Sequence, residues 1–493
     1  MKTDFMFVEE IPNAHPFVLE GVWRFISTKF EKEYGGKIST ILAFEKGTAY
    51  LYINSADWER AGKSVFEKVL SDPDWMLEKN KLNEEIQAKL YKFYSNLRKT
   101  NFSKFSKPEL VDLLQKWLDE YEKGISIGWI DMSMEFPQEL LSTYLKNYLK
   151  QQISKNNLHC HESDVFVAFT TPVRETWAKA EEKSILKICL EVKDKYPSVD
   201  FEKLPSLEKH FQKFRWLAYM YIGPAQEKSY YLDLIHKNFS EKVDFEKELK
   251  KLDDEPKQFE KLRKKYLSEL KFDEKHKKLL QIAENLVWLK DYRKNQILFA
   301  FYAVENLLKE ISKKFNISLN QLRFVTPFDA KKYLLSNFSS EELNTRYSAC
   351  VYLFDKGKNI FYVGEEAKKF HKSIKPKEEF DLCANELRGS SAVPGKVKGR
   401  IKLIILPEDM YKMNKGDILV AHATNPDVVP AMKKASAIIA DVGGLTCHAA
   451  IVSREMGIPC IVGTKYATKI LKDNDLVEVD ATNGIIKILE RAK

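Results

Sequence analysis

Glycine is scarce over most of this sequence. The first 385 residues contain 10 of the 19 glycines, and residues 386–493 contain the other 9. Loops that bind nucleotide phosphates through backbone amides are rich in glycine, and the first part of the chain has no such loop. This scarcity predicts a mainly helical region without a nucleotide site, followed by a region of strands and tight turns.

Paired cysteines and long apolar runs are also missing. The six cysteines have no Cys-x-x-Cys spacing, which favours reduced thiols over a disulfide framework or a zinc site. No apolar run reaches the length of a membrane span, and the first residues lack the pattern of a signal peptide. We therefore expect a cytoplasmic protein without membrane contact.

The charge balance does not point to nucleic acid as a partner. The chain has 80 Lys and Arg against 71 Asp and Glu, a net charge of +9. Residues 386–493 hold 16 basic and 12 acidic residues, or +4, and the remainder holds the other +5. The excess is spread along the chain, whereas nucleic-acid binding requires a concentrated basic surface.

The first part of the chain shows the helical period. Apolar spacing predicts helices near residues 73–97, 110–121, 137–154, 175–195, 205–221, 227–238 and 273–315. Ser106 and Glu109 have the spacing of a capping box. Two β-hairpins are predicted, one from segments 38–44 and 49–53 and one from segments 346–354 and 359–363.

The pattern changes to short apolar runs near residue 386. Strands are predicted at 397–405, 417–420, 437–440, 460–463, 477–479 and 485–489, and a helix at 426–434. The polar segment 372–386 is predicted to be a linker. The sequence thus predicts a multidomain protein with a mostly helical region with small β-hairpins at 1–371 and an α/β domain at 387–493.

One stretch, from Asp441 to Pro459, carries the chemistry. Gly443 and Gly444 predict a tight turn, Thr446 is predicted to cap a short helix, and Gly457 is predicted to end it. His448 then lies in the first helical turn, where backbone amides and the helix dipole favour an anion. A neutral imidazole in this place is suited to accept a phosphoryl group.

The surrounding segments resemble the phosphohistidine swivelling domain of phosphoenolpyruvate-utilising enzymes, a family that includes phosphoenolpyruvate synthase, pyruvate phosphate dikinase and rifampicin phosphotransferase. The resemblance rests on Gly389-Ser-Ser-Ala-Val-Pro-Gly-Lys-Val-Lys-Gly399, Gly416-Asp-Ile-Leu-Val420, Thr424-Asn-Pro-Asp427, Ala435–Gly444, Thr446-Cys-His-Ala-Ala-Ile-Val-Ser-Arg-Glu455 and Val479-Asp-Ala-Thr-Asn-Gly484. It implies a β/β/α domain that carries phosphate between two sites.

The resemblance also implies the roles of individual residues. His448 would be the catalytic phosphate acceptor, and Thr446, Gly443, Gly444, Thr424 and Arg454 would surround the phosphate. Arg454 lies six residues after His448 and therefore points to another side of the helix. A structural or domain-docking role is thus as reasonable for Arg454 as phosphate contact.

The expected partners of such a domain are not recognisable in the sequence. No ATP-grasp domain is predicted in the glycine-poor first part, and nine residues after Gly484 leave no room for a phosphoenolpyruvate-binding barrel of about 250 residues. We therefore expect ATP and Mg²⁺ to be bound by a separate ATP-grasp protein, with no cofactor on this chain. The order of regions resembles rifampicin phosphotransferase, in which a helical domain binds the acceptor.

The low glycine count argues against complete catalysis by this chain through an unrecognised nucleotide site, and two other functions remain open from the sequence. In the first, the chain is a phosphotransferase component that passes phosphate from ATP, or from phosphoenolpyruvate, to a small-molecule acceptor bound by the helical region. In the second, it is a non-catalytic phosphohistidine relay or regulatory protein whose helical region binds a protein partner. The acceptor-binding residues are not identified by the sequence.

Other candidate residues have simpler interpretations. His422 is either a second acid/base group or a surface or packing residue, with the latter favoured. His159, Cys160, His161 and Glu162 are adjacent in sequence, a spacing that rarely converges on one ion, so no metal site is predicted. Arg293 is interpreted as an exposed helix arginine in preference to an anion clamp.

Overall fold

A computed structural model describes residues 4–29, 31–219, 221–326, 330–336, 339–375, 385–405, 407–424, 428–444 and 447–492. The chain divides into two compact units. Unit 1 comprises Met1–Ser133, Arg174–Glu255 and Trp288–Pro376. Unit 2 comprises Met134–Val173, Pro256–Val287 and Lys377–Lys493.

Helices dominate the chain up to residue 374. The helices are α1 Pro16–Thr28, α2 Ser55–Ser71, α3 Pro73–Lys99, α4 Lys107–Ser126, α5 Trp129–Glu135, α6 Leu140–Lys155, α7 Glu162–Thr170, α8 Trp177–Val192, α9 Pro205–Phe214, α10 Lys228–Ser240, α11 Phe245–Leu270, α12 Glu274–Phe315, α13 Leu319–Leu322, α14 Ala330–Leu335, α15 Ser340–Ser348, α16 Gly364–Ile374, α17 Val429–Met432, α18 His448–Met456 and α19 Ala467–Ile470. Short 3₁₀ helices lie at Phe201–Lys203, Arg215–Ala218 and Pro407–Lys412.

Strands form two sheets, one in each unit. The strands are β1 Phe5–Ile11, β2 Thr40–Glu45, β3 Thr48–Asn54, β4 Ala349–Asp355, β5 Lys358–Val363, β6 Glu386–Arg388, β7 Ser390–Val393, β8 Lys396–Leu403, β9 Ile418–Ala421, β10 Ala437–Ala440, β11 Cys460–Val462, β12 Leu476–Asp480 and β13 Ile485–Glu490. A mostly helical N-terminal region with small strands and a C-terminal mixed α/β region agree with the predicted fold class.

The two predicted hairpins are confirmed and join in one sheet. Strands β2 and β3 form the first hairpin, and β4 and β5 form the second. The five-stranded order is β1-β3-β2-β4-β5. The sheet depends on a pairing across about 300 residues of sequence, with Leu42 opposite Tyr352, and local sequence patterns do not reveal such a pairing.

The helix predictions are confirmed in the regions where the apolar spacing was regular. Helix α4 begins with the predicted capping box, in which the Ser106 hydroxyl accepts from the Glu109 amide and Glu109 accepts from the Ser106 amide. The long predicted helix 273–315 is α12. The helices that were not predicted are α1, α2, α5, α7, α11, α13, α15, α16 and α19. In α11 the interior Pro256 is a residue that a sequence argument treats as a break.

The C-terminal sheet has eight strands in the order β6-β13-β12-β8-β9-β10-β11-β7. Strands β8 to β11 run parallel to one another, and β12 and β7 flank them in antiparallel pairing. Strands β9 and β10 are buried along their whole length. Because both faces of these strands are buried, their sequences are continuous apolar runs and do not alternate between apolar and polar residues.

Both faces of β9 and β10 are covered. Successive side chains of a strand point to opposite faces, and the core clusters follow this rule. Leu419 and Ile438 pack in a cluster with residues of α17 and α18. Ile418 and Ile439 pack in a cluster with residues of α19, β12 and β13. Packing on both faces fixes the carboxyl ends of these two strands, where the loops of the candidate site begin.

The structure draws some boundaries differently from the sequence. Helix α16 continues to Ile374, so residues 372–374 are helical and not part of a linker. Residues 376–384 of the predicted linker 372–386 lie outside the described residues. The segments 134–173 and 256–287 of the predicted helical region 1–371 group with the C-terminal segment in unit 2. The predicted domain limits remain a prediction.

Arg293 is buried, and its interpretation as an exposed helix residue was wrong. Only 9% of Arg293 is exposed, and its guanidinium lies 5.9 Å from the ring centroid of Trp129. Burial lowers the pKa of the Arg293 guanidinium, and the nearby Asp131 opposes this shift. Helical spacing alone does not reveal a buried charge of this kind, because its partners come from distant parts of unit 1.

Candidate functional site

The candidate site lies where two parallel strands end. Strands β9 and β10 pair in parallel, with Ala421 opposite Ala440. The loops that follow them therefore leave the same edge of the sheet, which is the edge at which open α/β sheets bind ligands. One loop contains Thr424, and the other contains Gly443 and Gly444.

His448 and Thr424 are in direct contact. The Thr424 Oγ1 atom lies 2.7 Å from the His448 Nδ1 atom, and only 8% of Thr424 is exposed. A hydroxyl can accept a hydrogen bond from a ring N–H. If Thr424 accepts from the Nδ1–H of His448, the neutral imidazole carries its lone pair on Nε2, which is the form that a nucleophile needs.

His448 lies in the first turn of helix α18, as predicted. Its N-cap is Cys447, whose sulfur accepts from the Ala450 amide at 3.5 Å, so the prediction that Thr446 caps the helix was wrong. Thr446 itself lies outside the described residues. The helix ends at Gly457 with a φ of 65°, as predicted for a glycine C-cap.

Gly443 is required by both conformation and space. Its φ of 107° is favourable only for glycine, and a Cβ atom here would lie 2.6 Å from the Cβ of Cys447. Cys447 therefore packs against the turn that leads into α18.

Gly444 lies against a carboxylate. A Cβ atom at Gly444 would lie 2.8 Å from the Oε1 atom of Glu139, which is the residue before α6 in the same unit. The resemblance assigned Gly444 to the phosphate site. In the structure a negatively charged side chain lies beside it.

Arg454 is a buried residue of α18. Only 8% of Arg454 is exposed, and its Nε atom has no hydrogen-bond partner among the described residues. Burial lowers the pKa of the Arg454 guanidinium, and the nearby Cys447, Cys460, Glu139 and Glu135 raise it. This position favours the domain-docking interpretation of Arg454 over direct phosphate contact.

A small cavity adjoins Arg454. Its volume is about 10 Å³, and it is lined by Glu135, Leu141, Ser142, Phe166, Thr170, Ala283, Leu286, Val287 and Arg454. Burial raises the pKa of Glu135 to about 7, although hydrogen bonds from the Ser142 amide at 2.9 Å and the Ser142 hydroxyl at 2.6 Å oppose the rise. The cavity is about the size of one water molecule.

Asp441 is a residue of the site region that sequence reasoning missed. It is 2% exposed, and its carboxylate accepts hydrogen bonds from the Thr464 hydroxyl at 3.2 Å and from the Thr468 amide at 3.1 Å. The Nδ1 atom of His422 lies 3.5 Å from the same carboxylate. The sequence feature that could have identified Asp441 is the position of an aspartate directly after an apolar strand. Asp441 anchors the start of the glycine turn.

The other candidate groups do not converge on a metal-binding arrangement. Among the described residues, no group of three or more His, Cys, Asp and Glu side chains could hold a metal ion. His161 instead caps α7, where its Nδ1 atom accepts from the Ser163 amide at 3.3 Å. In the part of the chain that the structure describes, no helix combines the length and apolarity of a membrane span.

The sequence comparisons agree with this geometry. Residues 413–484 match the family model described as the PEP-utilising enzyme, mobile domain. This part of the chain is a phosphoenolpyruvate-utiliser mobile domain. The mobile domain contains Thr424, the glycine turn and His448, so the family assignment and the strand-end site fall on the same residues.

Curated relatives share this part of the chain. The probable phosphoenolpyruvate synthase of Archaeoglobus fulgidus is 46% identical over 127 residues, or 26% of this chain and 16% of the relative. That of Methanothermobacter thermautotrophicus is 51% identical over 111 residues, or 22% and 16%. The phosphoenolpyruvate synthase of Pyrococcus furiosus is 53% identical over 109 residues, or 22% and 13%. The match thus spans only a small part of each relative.

Among solved structures, the chain is similar to the holo-form of Thermococcus kodakaraensis aconitase X. The identity is 24%, and the similarity covers 22% of this chain and 100% of that chain with a TM-score of 0.18.

The crowding at Gly443 predicts a specific loss of stability. Gly443→Ala should lower the free energy of unfolding by more than the roughly 1 kcal/mol that a left-handed alanine costs, because the new Cβ also meets Cys447. Gly416→Ala is the matched control, since Gly416 has a φ of 95° and open space around it. Urea unfolding of both variants measures the difference. Equal losses would contradict the contact.

The environment of Glu135 predicts a pH dependence. Its carboxyl faces Ser142, Glu139 and Arg454, and its pKa rises from 4.5 to about 7 on folding. The folded state therefore keeps a proton that the unfolded state loses, and stability falls as pH rises from about 4.5 to about 7. Glu135→Gln removes this loss.

The expected result is a variant that gains about 1 to 3 kcal/mol over the wild type between pH 5 and pH 8. Urea unfolding at both pH values measures the gain. Glu274→Gln is the control, because the Glu274 side chain is 81% exposed. A gain that does not depend on pH would contradict the assigned environment.

Proposed function

We propose that this chain is the phosphocarrier component of a phosphotransferase, in which His448 is transiently phosphorylated. The observation that carries the proposal is the contact between His448 Nδ1 and Thr424 Oγ1 at 2.7 Å, at the first residue of a helix that follows a glycine turn. The helix start provides free amides for a phosphoryl group. The match to a phosphoenolpyruvate-utiliser mobile domain supports the same chemistry.

The chemistry follows from the tautomer of His448. With Nδ1–H donating to Thr424, the Nε2 lone pair attacks the phosphorus of the donor, and the bond from phosphorus to the leaving oxygen breaks. In the second step an acceptor oxygen attacks the same phosphorus. The phosphorus–nitrogen bond then breaks, its electron pair returns to Nε2, and the acceptor proton leaves to a base or to solvent. His448 is regenerated.

The donor is proposed to be ATP, bound with Mg²⁺ on a separate ATP-grasp protein, with phosphoenolpyruvate as the other possible donor. This proposal rests on the names of the relatives, which are phosphoenolpyruvate synthases, and on the scarcity of glycine in residues 1–385. A glycine-poor chain has few sites for the close backbone approach that a nucleotide phosphate requires.

The acceptor is proposed to be a small molecule bound by the helical region. The C-terminal domain, with the predicted β/β/α arrangement of a swivelling domain, would carry phosphate between donor and acceptor. We infer that phosphate transfer to a small molecule, and not a change in affinity for a protein partner, is the outcome of phosphorylation.

The first test of the function is phosphorylation of His448 itself. The full chain is incubated with ATP labelled at either the β or the γ phosphate, alone and with an ATP-grasp protein from the same cell. We expect acid-labile, base-stable label that requires the partner and is absent from His448→Ala. His159→Ala, at an exposed histidine outside the mobile domain, is the matched control and should retain the label.

The outcomes separate the alternatives. Label on the isolated chain would overturn the assignment of ATP to a partner, and label that persists in His448→Ala would overturn the assigned nucleophile. The regulatory function would be favoured if the labelled chain binds a protein partner with changed affinity but transfers phosphate to no small molecule. The labelled position of ATP identifies the phosphate that moves.

Thr424 provides a second prediction. Thr424→Val keeps the shape of the side chain but removes the oxygen that contacts Nδ1, so His448 loses the partner that fixes its tautomer. We expect the initial rate of phosphorylation to fall about tenfold, which corresponds to the loss of one hydrogen bond. Thr424→Ser should retain most of the rate. Equal rates in the valine and serine variants would show that the contact has no role.

A further inference from the structure

A polar groove lies in unit 1 between α12 and the loop that follows α3. Its volume is about 410 Å³, which is within the range of small-molecule sites. The residues that line it are Thr100, Asn101, Phe102 and Ser103 of the loop, and Asn306, Lys309, Glu310 and Lys313 of α12. We call it the lysine groove. All of its lining residues belong to unit 1, so the groove is complete within that unit.

Helix α12 provides a charged wall. The four lining residues of this helix are spaced by three and four positions, so they lie on one face. The Lys309 Nζ atom lies 3.0 Å from the Oε1 atom of Glu305, and the Lys314 Nζ atom lies 3.7 Å from the Oε1 atom of Glu310. Lys313 has no ion-pair partner among the described residues. Its positive charge is therefore available to a ligand.

The loop wall is held against the same helix. The Lys314 ammonium group donates to the Ser103 carbonyl at 3.0 Å and also to the Phe105 carbonyl. Phe102 is only 4% exposed, and its ring centroid lies 5.7 Å from that of Phe105. Polar groups therefore form most of the accessible wall. The contacts also hold the loop in place before a ligand arrives, which reduces the entropic cost of binding.

Two asparagine side chains beside the groove have a fixed orientation. The Arg98 Nη1 atom donates to the Oδ1 atom of Asn306 at 2.9 Å. The Ser103 amide donates to the Oδ1 atom of Asn101 at 3.1 Å. Only the oxygen of a side-chain amide can accept, so both NH₂ groups are left as donors. Ammonium and amide donors together are suited to an anionic ligand.

Cations outnumber carboxylates around the groove. The lining side chains and those bonded to them include four cations and two carboxylates, a balance of +2. These side chains are Arg98, Lys309, Lys313, Lys314, Glu305 and Glu310. The end of the helix does not explain both lysines of the groove. Lys313 lies in the last turn of α12, where a cation stabilises the helix dipole, whereas Lys309 lies six residues before Phe315.

We propose that the lysine groove binds a small molecule that carries both a phosphate group and hydroxyl groups, and that this molecule is the acceptor of the phosphotransfer. The second part rests on the function proposed above. The ammonium groups of Lys309 and Lys313 hold the phosphate group of the ligand. The Thr100 hydroxyl donates to the Asn96 carbonyl at 2.9 Å and keeps lone pairs that accept from a ligand hydroxyl.

The transfer step involves one hydroxyl group of the bound molecule. Its oxygen forms the new bond to the phosphorus carried by His448, and the phosphorus–nitrogen bond breaks with its electron pair returning to the imidazole. The hydroxyl proton leaves to solvent. The phosphate group that the molecule already carries takes no part in this step and serves only to hold the molecule in the groove.

Protection of lysines from acetylation tests the binding site in the full chain. The ligand used is glycerol 3-phosphate, compared with glycerol and with inorganic phosphate, with sodium chloride holding the ionic strength constant. Mass spectrometry measures the rate at which sulfosuccinimidyl acetate modifies each lysine. At about 1 to 10 mM glycerol 3-phosphate, we expect Lys309 and Lys313 to react several-fold more slowly. Lys277, an exposed lysine in the first part of α12, should react as before.

Two variants change the charge of the groove in opposite directions. Lys313→Gln removes a cation, so titration calorimetry should show that glycerol 3-phosphate binds about tenfold more weakly, as for the loss of a hydrogen bond to a charged group. Glu310→Gln removes a repelling carboxylate and should bind the ligand more tightly. Lys277→Gln is the matched control, because it makes the same change at an exposed lysine of the same helix, and it should bind as the wild type does.

Three results would overturn the proposal. The first is the absence of protection at about 10 mM glycerol 3-phosphate. The second is an equal effect at Lys277 and at the groove lysines, in either measurement, because this would be a response to net charge. The third is equal protection by inorganic phosphate, which would exclude recognition of the hydroxyl groups.

Failure of the acceptor site and failure of the phosphotransfer function give different results. If His448 takes no label from ATP but the groove lysines are protected, the binding site is retained and the phosphotransfer function is refuted. If His448 is labelled but the groove lysines are not protected, the phosphotransfer function is retained and this acceptor site is refuted.

Discussion

The parallel pairing of β9 with β10 is the constraint on which the candidate site depends. Because Ala421 lies opposite Ala440, the loops after both strands leave the sheet side by side. Thr424 and His448 are 24 residues apart in sequence, yet their side chains approach to 2.7 Å. Packing on both faces of these buried strands fixes the loop origins. The same hydrophobic core that stabilises the domain thereby holds Thr424 against the Nδ1 atom of its histidine.

Buried charge connects this site to the helices of unit 2. A buried guanidinium is stable only near compensating groups, and those near Arg454 come both from its own domain and from residues 135 and 139. Glu135 is buried strongly enough that its pKa rises to about 7, and it is held by Ser142. Unit 2 therefore combines an apolar sheet core with a buried cluster of ionisable side chains around Arg454.

The sequence predicted local structure well and distant pairing poorly. The capping box at Ser106 and the two hairpins depend on neighbouring residues, and both predictions are confirmed. The joining of the hairpins through β2 and β4 depends on residues about 300 positions apart. The burial of Arg293 depends on Asp131 and Trp129, which helical periodicity cannot identify. The structure places the cap of α18 at Cys447, whereas the sequence predicted Thr446. Sequence patterns do not locate a helix boundary to within one residue.

By itself the sequence determined that His448 follows a glycine turn and begins a helix, since glycine, capping and apolar runs act over a few residues. It also identified Thr424 as a residue of the same site, through resemblance. Only the tertiary structure decided which atoms meet: Thr424 with Nδ1 of His448, Glu139 with Gly444, and Arg454 with the cavity beside Glu135. These contacts join segments that are far apart in the sequence and that no sequence pattern relates to one another. Only the packing of the folded chain brings them together.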